Sequence, residues 1–119
     1  MKKTIVLGAS LKPDRYSNRA VQKLKANDIE TVALGFENGM IGNIPVETDW
    51  KNYEDIHTIS LYLNPTRQTQ YYDYILAQQP KRIIFNPGTE NAELQQLAQA
   101  QNIETLDACT LVLLSIGKY

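Results

Sequence analysis

The alternation of short apolar runs with amphipathic stretches constrains this chain more than any other feature of its sequence. The first run, from Thr4 to Leu7, is apolar and β-branched with no polar alternation, which is typical of a strand buried on both faces. It ends at Gly8, and a polar loop follows. Apolar residues then recur three, four and seven positions after Ser17, which predicts an amphipathic helix with Ser17 as its N-cap. Nucleotide-binding α/β domains use this order of strand, loop and helix to hold a phosphate.

The same alternation continues to the end of the chain. Further strands are predicted over 29–34, 57–63, 82–85 and 103–106, with helices between them, including one over 67–79, and an apolar final segment over 111–116. The pattern is weak over 36–53, where only a short extended piece at 44–46 stands out between turn dipeptides. The sequence therefore predicts an α/β protein with a three-layer Rossmann-like fold and a five-stranded, mainly parallel sheet.

Composition and charge limit the number of domains and the class of partner. With 12 Lys and Arg residues against 13 Asp and Glu residues, the net charge of −1 gives no overall attraction to nucleic acid or to an anionic membrane. No apolar run approaches the roughly 20 residues that span a bilayer. No signal peptide is recognised, and the one cysteine, Cys109, has no partner for an internal disulfide. We expect one cytoplasmic domain over 1–119 with a small-molecule ligand, and leave a homo-oligomer or a protein partner open.

The loops that follow the strands are the expected place for a ligand. Right-handed connections place them all at one edge of a parallel sheet, and ligands bind at that carboxyl edge, near the point where the strand order reverses. The loop after the first strand has about eight residues, where two to six are usual. Its Lys12 and Arg15 are either phosphate contacts or solvated charges. Gly8-Ala9-Ser10 lacks the second glycine of the dinucleotide fingerprint.

Two further loops contain proline directly after a strand. Asn64-Pro65-Thr66 and Asn86-Pro87-Gly88 each mark a sharp exit from the sheet, and serve as turn and cap signals, as ligand contacts, or as both. Cys109 invites a nucleophile hypothesis because a helix N-terminus favours a thiolate. However, the only histidine, His57, begins the third strand, so a Cys-His pair would have to span the sheet, and a structural cysteine is favoured. The residues contain no metal constellation, triad or Walker lysine, and therefore indicate no reaction.

In chain order, these motifs resemble the small, single-domain bacterial CoA-binding proteins. That family is similar to the CoA-binding domain at the N-terminus of the succinyl-CoA synthetase α subunit. The resemblance covers essentially the whole chain, and the motifs that carry it are Gly8-Ala9-Ser10, Arg15-Tyr16-Ser17, Ile41-Gly42, Asn64-Pro65, Gly88-Thr89-Glu90-Asn91 and Asp107-Ala108-Cys109.

The resemblance implies a ligand and a set of contacts. Coenzyme A or an acyl-CoA would place its phosphates at the Gly8-Ala9-Ser10 loop and the helix after it, with the two proline loops beside its pantetheine or adenine. Cys109 would match the family's cysteine after the last strand. Most members have no defined reaction, so a binding or regulatory module is expected rather than an enzyme. The implied contacts are Gly8, Ala9, Ser10, Lys12, Arg15, Tyr16, Ser17, Asn18, Asn64, Pro65, Thr66, Asn86, Pro87, Gly88 and Cys109.

Two alternatives stay open. The family usually has Asn-Pro after the second strand, where this chain has Gly35-Phe36-Glu37-Asn38. In NAD-binding domains an acidic residue near this place accepts a hydrogen bond from a ribose hydroxyl, whereas a carboxylate would repel the 3′-phosphate of CoA. Glu37 therefore supports an NAD(P)-binding regulatory domain, although it lies farther from Gly8 than the usual distance of about twenty residues. A thiol-dependent acyl-transfer enzyme that uses Cys109 is the third hypothesis.

Overall fold

A mostly parallel, seven-stranded sheet forms the centre of the molecule. The structure is a computed structural model that describes residues 2–119. The strands are β1 (Thr4–Ala9), β2 (Thr31–Gly35), β3 (Gly39–Ile41), β4 (Ile44–Glu47), β5 (Thr58–Leu61), β6 (Arg82–Phe85) and β7 (Glu104–Asp107). Their order across the sheet is β3-β4-β2-β1-β5-β6-β7.

Five helices accompany the strands, and the last of them follows β7. They are α1 (Tyr16–Ala26), α2 (Pro65–Gln68), α3 (Tyr72–Ala77), α4 (Ala92–Gln99) and α5 (Thr110–Ser115), and a 3₁₀ turn at Thr69–Tyr71 joins α2 to α3. The single helix predicted over 67–79 is therefore wrong, because this segment begins earlier and is divided by the turn. No helix within residues 2–119 is long and apolar enough to cross a bilayer.

Alternate residues of β1 pack into separate cores on the two faces of the sheet. Ile5 and Leu7 belong to a buried cluster that includes Ile75 of α3 and Leu94 of α4. Val6 belongs to a second cluster, with Val21 and Leu24 of α1 and, partly buried, Leu114 of α5. This burial on both faces explains why β1 shows no polar alternation. The predicted α/β class, with a mainly parallel sheet between helices, is confirmed.

The prediction of five strands is wrong, because the weakly patterned stretch forms two more. β3 and β4 make an antiparallel hairpin in which Met40 lies opposite Pro45, and β4 also pairs in parallel with β2. Pro45 argues against a paired strand in the sequence because proline has no N–H to donate. The pairing with β2 begins only at Val46, so Pro45 lies outside that part of the ladder. Strands of three and four residues are also too short to show a clear period.

The strand order reverses between β1 and β5. From β1 the chain builds outward through β2 to the hairpin, and it then returns to the other side of β1 to add β5, β6 and β7. In an open α/β sheet the carboxyl ends of the two strands at such a reversal diverge and leave a crevice for a ligand. The topology therefore places the candidate site beside the ends of β1 and β5.

Candidate functional site

A cleft of about 440 Å³ lies at this reversal, and its volume falls within the roughly 300–1,000 Å³ typical of small-molecule sites. The predicted site residues that line it are Gly8, Ala9, Ser10, Arg15, Tyr16, Ser17 and Pro87. The predicted residues that do not line it are Lys12, Asn18, Asn64, Pro65, Thr66, Asn86, Gly88 and Cys109. Contact of either set with a ligand stays a prediction.

Six lining residues were not among the contacts implied for CoA, although the NAD(P) alternative names Glu37. They are Leu11, Phe36, Glu37, Tyr62, Leu63 and Arg67. Position alone could have identified most of them, because they lie directly after β1, β2 or β5 and loops at the carboxyl edge converge. Arg67 lies farther along the chain, within α2, so its position after β5 is a weaker signal.

Gly8 lines the cleft in a conformation that favours glycine. Its φ is +98°, and the pairing of β1 with β2 shifts register between Leu7 and Ala9, so Gly8 lies at a β-bulge. A Cβ at Gly8 would lie 3.1 Å from Cδ2 of Leu63 and 3.2 Å from the carbonyl carbon of Tyr62. The bulge therefore brings the end of β1 so close to the end of β5 that a side chain at Gly8 would crowd Leu63 and Tyr62.

Hydrogen bonds from α1 fix the loop after β1. The backbone N–H of Ser10 donates to Oγ of Ser17 at 3.1 Å, and Nδ2 of Asn18 donates to the carbonyl oxygen of Ser10 at 2.8 Å. Ser17 and Asn18 are both buried. The prediction that Ser17 is the N-cap is wrong: α1 begins at Tyr16 with Arg15 as its N-cap, because the Ser17 hydroxyl is used to hold the loop.

The N-terminus of α1 is left without a side-chain cap. Arg15 makes no capping hydrogen bond, and the first turn contains no acidic residue. The first N–H groups of a helix have no partner within the helix, and the helix dipole makes this end positive. Because Arg15, Tyr16 and Ser17 line the cleft, the cleft presents these donors to an anion.

The remaining charges of the cleft are two arginines and one carboxylate. Within residues 2–119 the only ion pair joins Lys3 to Glu30, so Arg15, Arg67 and Glu37 form none. The Cζ of Arg67 lies 4.2 Å from the ring centroid of Phe36. The Phe36 ring lies in turn 5.5 Å from the Trp50 ring. The cleft therefore carries a net positive charge beside an aromatic wall.

Tyr62 lines the cleft, but its hydroxyl is buried away from the cleft, beside Ser60 and Thr110. Burial raises the pKa of Tyr62 well above its ordinary value. The group is therefore a neutral phenol at physiological pH.

Asn86, directly after β6, uses its side-chain donor and acceptor within the protein. Nδ2 of Asn86 donates to Oγ of Ser60 at 3.0 Å and to the carbonyl oxygen of Leu61 at 2.9 Å. Its Oδ1 accepts from the backbone N–H of Thr110 at 2.8 Å. Asn86 thus joins the ends of β5 and β6 to the start of α5, and its neighbour Pro87 reaches the cleft.

Cys109 and His57 lie at opposite edges of the sheet. Cys109 is a half-buried free thiol at the N-cap of α5, whereas His57 directly precedes β5 and lines a second cavity of about 560 Å³ with Gln78 and Lys81. The expectation that a Cys-His pair would have to span the sheet is confirmed. Burial, and then the charges of Arg82 and other nearby cations, lower the pKa of His57. Residues 2–119 contain no cluster of three potential metal ligands.

The second cavity is larger than the cleft but lies at the amino edge of the sheet, away from the strand reversal. Its walls combine the carboxylates of Glu54 and Asp55 with the cation Lys81. It has neither the uncapped end of α1 nor the bulge at Gly8. We therefore take the smaller cleft as the candidate site, because topology and hydrogen-bonding capacity coincide there.

Comparisons with known proteins give a family and a fold. A family profile described as a CoA binding domain matches residues 2–115. The crystal structure of an uncharacterised protein superimposes with a TM-score of 0.97 at 40% identity, covering 100% of this chain and 98% of that one. A Thermus thermophilus protein gives a TM-score of 0.84 at 19% identity over 99% and 91% of the two chains. A hypothetical protein from Pyrococcus horikoshii OT3 gives a TM-score of 0.82 at 18% identity, covering 93% of this chain and 80% of that one. These last two show the fold alone, and no curated protein matched the sequence.

Proposed function

The chain belongs to the CoA binding domain family, and from this we propose that residues 1–119 form one domain that binds coenzyme A or an acyl-CoA in the cleft at the carboxyl edge of the sheet. The domain acts as a binding or regulatory module and catalyses no reaction by itself. Its location in the cytoplasm stays a prediction. So does its association with a partner protein or with a second copy of this chain.

The uncapped N-terminus of α1 is the observation that carries this proposal. A diphosphate needs several N–H donors and a positive local field, and α1 presents both toward the cleft because neither a capping side chain nor an acidic residue fills its first turn. The loop that would enclose the diphosphate is already fixed through Ser10. A ligand therefore orders little backbone when it binds, which favours affinity.

The other lining residues suit the rest of an acyl-CoA. Leu63 and Pro87 line the cleft and offer apolar surface to a pantetheine chain. Glu37 is the only carboxylate among the lining residues, which include no histidine or cysteine. This set binds and orients a ligand, and it supplies no paired acid and base.

Isothermal titration calorimetry with a pair of matched variants tests the proposal. Tyr16 is exposed at the first position of α1 and lines the cleft. Tyr16→Glu adds a negative charge where the phosphates would bind and favours the helix, while Tyr16→Gln removes the same ring without the charge. We expect saturable binding of CoA to the native chain, and at least about tenfold weaker binding to the Glu variant than to the Gln variant. Equal affinities for the two variants would contradict this placement of the phosphates.

The absence of catalysis is tested separately. After incubation with acetyl-CoA, we expect the thioester to remain intact and the protein mass to remain unchanged. An acetyl adduct on Cys109 would favour the acyl-transfer hypothesis instead, because a thioester exchange leaves the acyl group on the attacking thiol.

A second candidate function has one observation in its favour. Glu37 lines the cleft. An acidic residue must do so if it accepts a hydrogen bond from a ribose hydroxyl of the bound ligand. An NAD(P)-binding regulatory domain would bind NAD in the same calorimetric experiment and would not bind CoA.

A further inference from the structure

Arg67 is a cation of the cleft that the proposed diphosphate site does not use. Arg15 belongs to the loop after β1, next to the N-terminus of α1, whereas Arg67 comes from α2, after β5. Both line the same cleft and neither forms an ion pair within the described chain. The site therefore offers a second positive group that comes from a separate element of the fold.

One contact fixes the backbone of Arg67 and another holds its guanidinium. The backbone N–H of Arg67 donates to Oδ1 of Asn64 at 3.0 Å, which fixes the first turn of α2. Its Cζ lies 4.2 Å from the centroid of the Phe36 ring, and that ring is supported by Trp50 and Tyr71 at centroid distances of 5.5 and 6.2 Å. A guanidinium held over an aromatic ring keeps its charge and loses little freedom when it binds.

The hydrogen-bond donors of this guanidinium are unused. The Arg67 side chain donates to no group among residues 2–119, although guanidinium carries five N–H donors in a fixed fork. That fork matches two oxygens of a phosphate, and such charge-assisted pairs are stronger than neutral hydrogen bonds. The chemistry of Arg67 therefore calls for a phosphate or a carboxylate on the ligand.

Coenzyme A carries an anion that the N-terminus of α1 does not account for. Besides its diphosphate, it has a phosphomonoester on the ribose, at the 3′ position, which dephospho-CoA lacks. Resting on the proposed function, we infer that Arg67 binds this ribose phosphate and makes the cleft select CoA over dephospho-CoA.

Glu37 makes CoA binding depend more strongly on Arg67. It follows Phe36 directly and lines the same cleft, so its carboxylate opposes a nearby phosphomonoester. Arg67, held against the Phe36 ring, offsets this repulsion. Removal of the arginine leaves the carboxylate unopposed, and the loss then falls on the ligand that carries the extra phosphate.

The test is calorimetry with two ligands and three proteins. CoA and dephospho-CoA are titrated into the native chain, into Arg67→Gln and into a control, Lys25→Gln. Lys25 is an exposed cation in the last turn of α1, and it does not line the cleft. We expect Arg67→Gln to weaken CoA binding by roughly ten- to a hundredfold and dephospho-CoA binding by less than about threefold. Lys25→Gln changes neither affinity.

The outcomes separate this inference from the proposal on which it rests. If neither ligand binds the native chain, the proposed function itself fails. If both bind and Arg67→Gln weakens them equally, or if the native chain binds both with one affinity, CoA binding stands and the role of Arg67 is overturned. Arg67→Lys is a second variant that retains the charge without the fork, and we expect it to recover part of the preference for CoA.

Discussion

Oδ1 of Asn86 accepts a hydrogen bond from the backbone N–H of Thr110 at 2.8 Å, so a residue at the end of β6 caps the helix that follows β7. The same side chain donates to Ser60 and to Leu61 at the end of β5. Ser60 and Thr110 are themselves joined by a hydrogen bond of 2.7 Å between their hydroxyls. A buried polar network thus connects three elements of the carboxyl edge.

Asn86→Asp is expected to destabilise the fold strongly. The change keeps the cap to Thr110, but it replaces the donor to Ser60 and Leu61 by a carboxylate oxygen, and Asn86 is only 1% exposed. We expect a loss of about 2–4 kcal/mol in the free energy of unfolding, measured by urea denaturation. The control is Asn64→Asp, at an exposed N-cap where a carboxylate accepts as well as an amide, and it should change stability by less than about 0.5 kcal/mol. Similar losses in the two variants would contradict the network.

Gly8→Ala is expected to destabilise the protein more than Gly42→Ala. Both glycines have positive φ, at +98° and +59°. A Cβ at Gly42 meets nothing within 4 Å, whereas one at Gly8 meets Leu63 and Tyr62 at 3.1–3.3 Å. We expect urea denaturation to give losses of about 1 kcal/mol for Gly42→Ala and about 2–4 kcal/mol for Gly8→Ala. Equal losses would show that the strands can separate at the bulge without penalty.

The sequence predicted those parts of the fold that depend on long, clear patterns. β1 is an unbroken apolar run and α1 keeps a helical period of apolar residues, and the strand-loop-helix order at Gly8 predicts a site at the carboxyl edge. The β3-β4 hairpin was predicted only as a short extended piece at 44–46, because strands of three and four residues show no clear period. Only the observed register shows that β4 meets β2 from Val46 onward.

Only part of the site could be predicted, for a similar reason. Residues in the loop after β1 follow from their position in the chain, but the roles of Ser17 and Asn18 depend on tertiary hydrogen bonds to Ser10 that no local pattern encodes. Arg67 and Phe36 are 31 positions apart in the numbering, and their stacking brings together loops after different strands. Contacts between separate loops require the fold to be known.

Glu37→Gln distinguishes the two candidate ligands. Loss of the carboxylate removes a charge that repels CoA, so CoA should bind about two- to tenfold more tightly at low ionic strength, with a smaller gain in high salt. If the cleft instead binds NAD through a ribose hydroxyl, the same change weakens NAD. Calorimetry measures both, with Glu104→Gln as the control because Glu104 is exposed and does not line the cleft.

His57 should make stability depend on pH just below neutrality. Burial, and then the charges of Arg82, Lys2 and Lys81, lower the pKa of His57 from its ordinary 6.5. As the pH falls through 6.5, the unfolded chain takes up the proton before the folded chain does, so the free energy of unfolding falls. We expect the native chain to lose more stability than His57→Gln between about pH 7.5 and pH 5.5 in urea denaturation. Equal losses would contradict the lowered pKa.

The location of CoA in the cleft is tested most directly by NMR titration of the ¹⁵N-labelled chain. We predict saturable shifts, with one affinity, for the backbone amides of Ser10, Tyr16 and Ser17 at the N-terminus of α1. The amides of Gln78 and Lys81, beside the larger cavity at the amino edge, should stay unchanged. Shifts centred on Gln78 and Lys81, or no saturable shift at α1, would contradict the account.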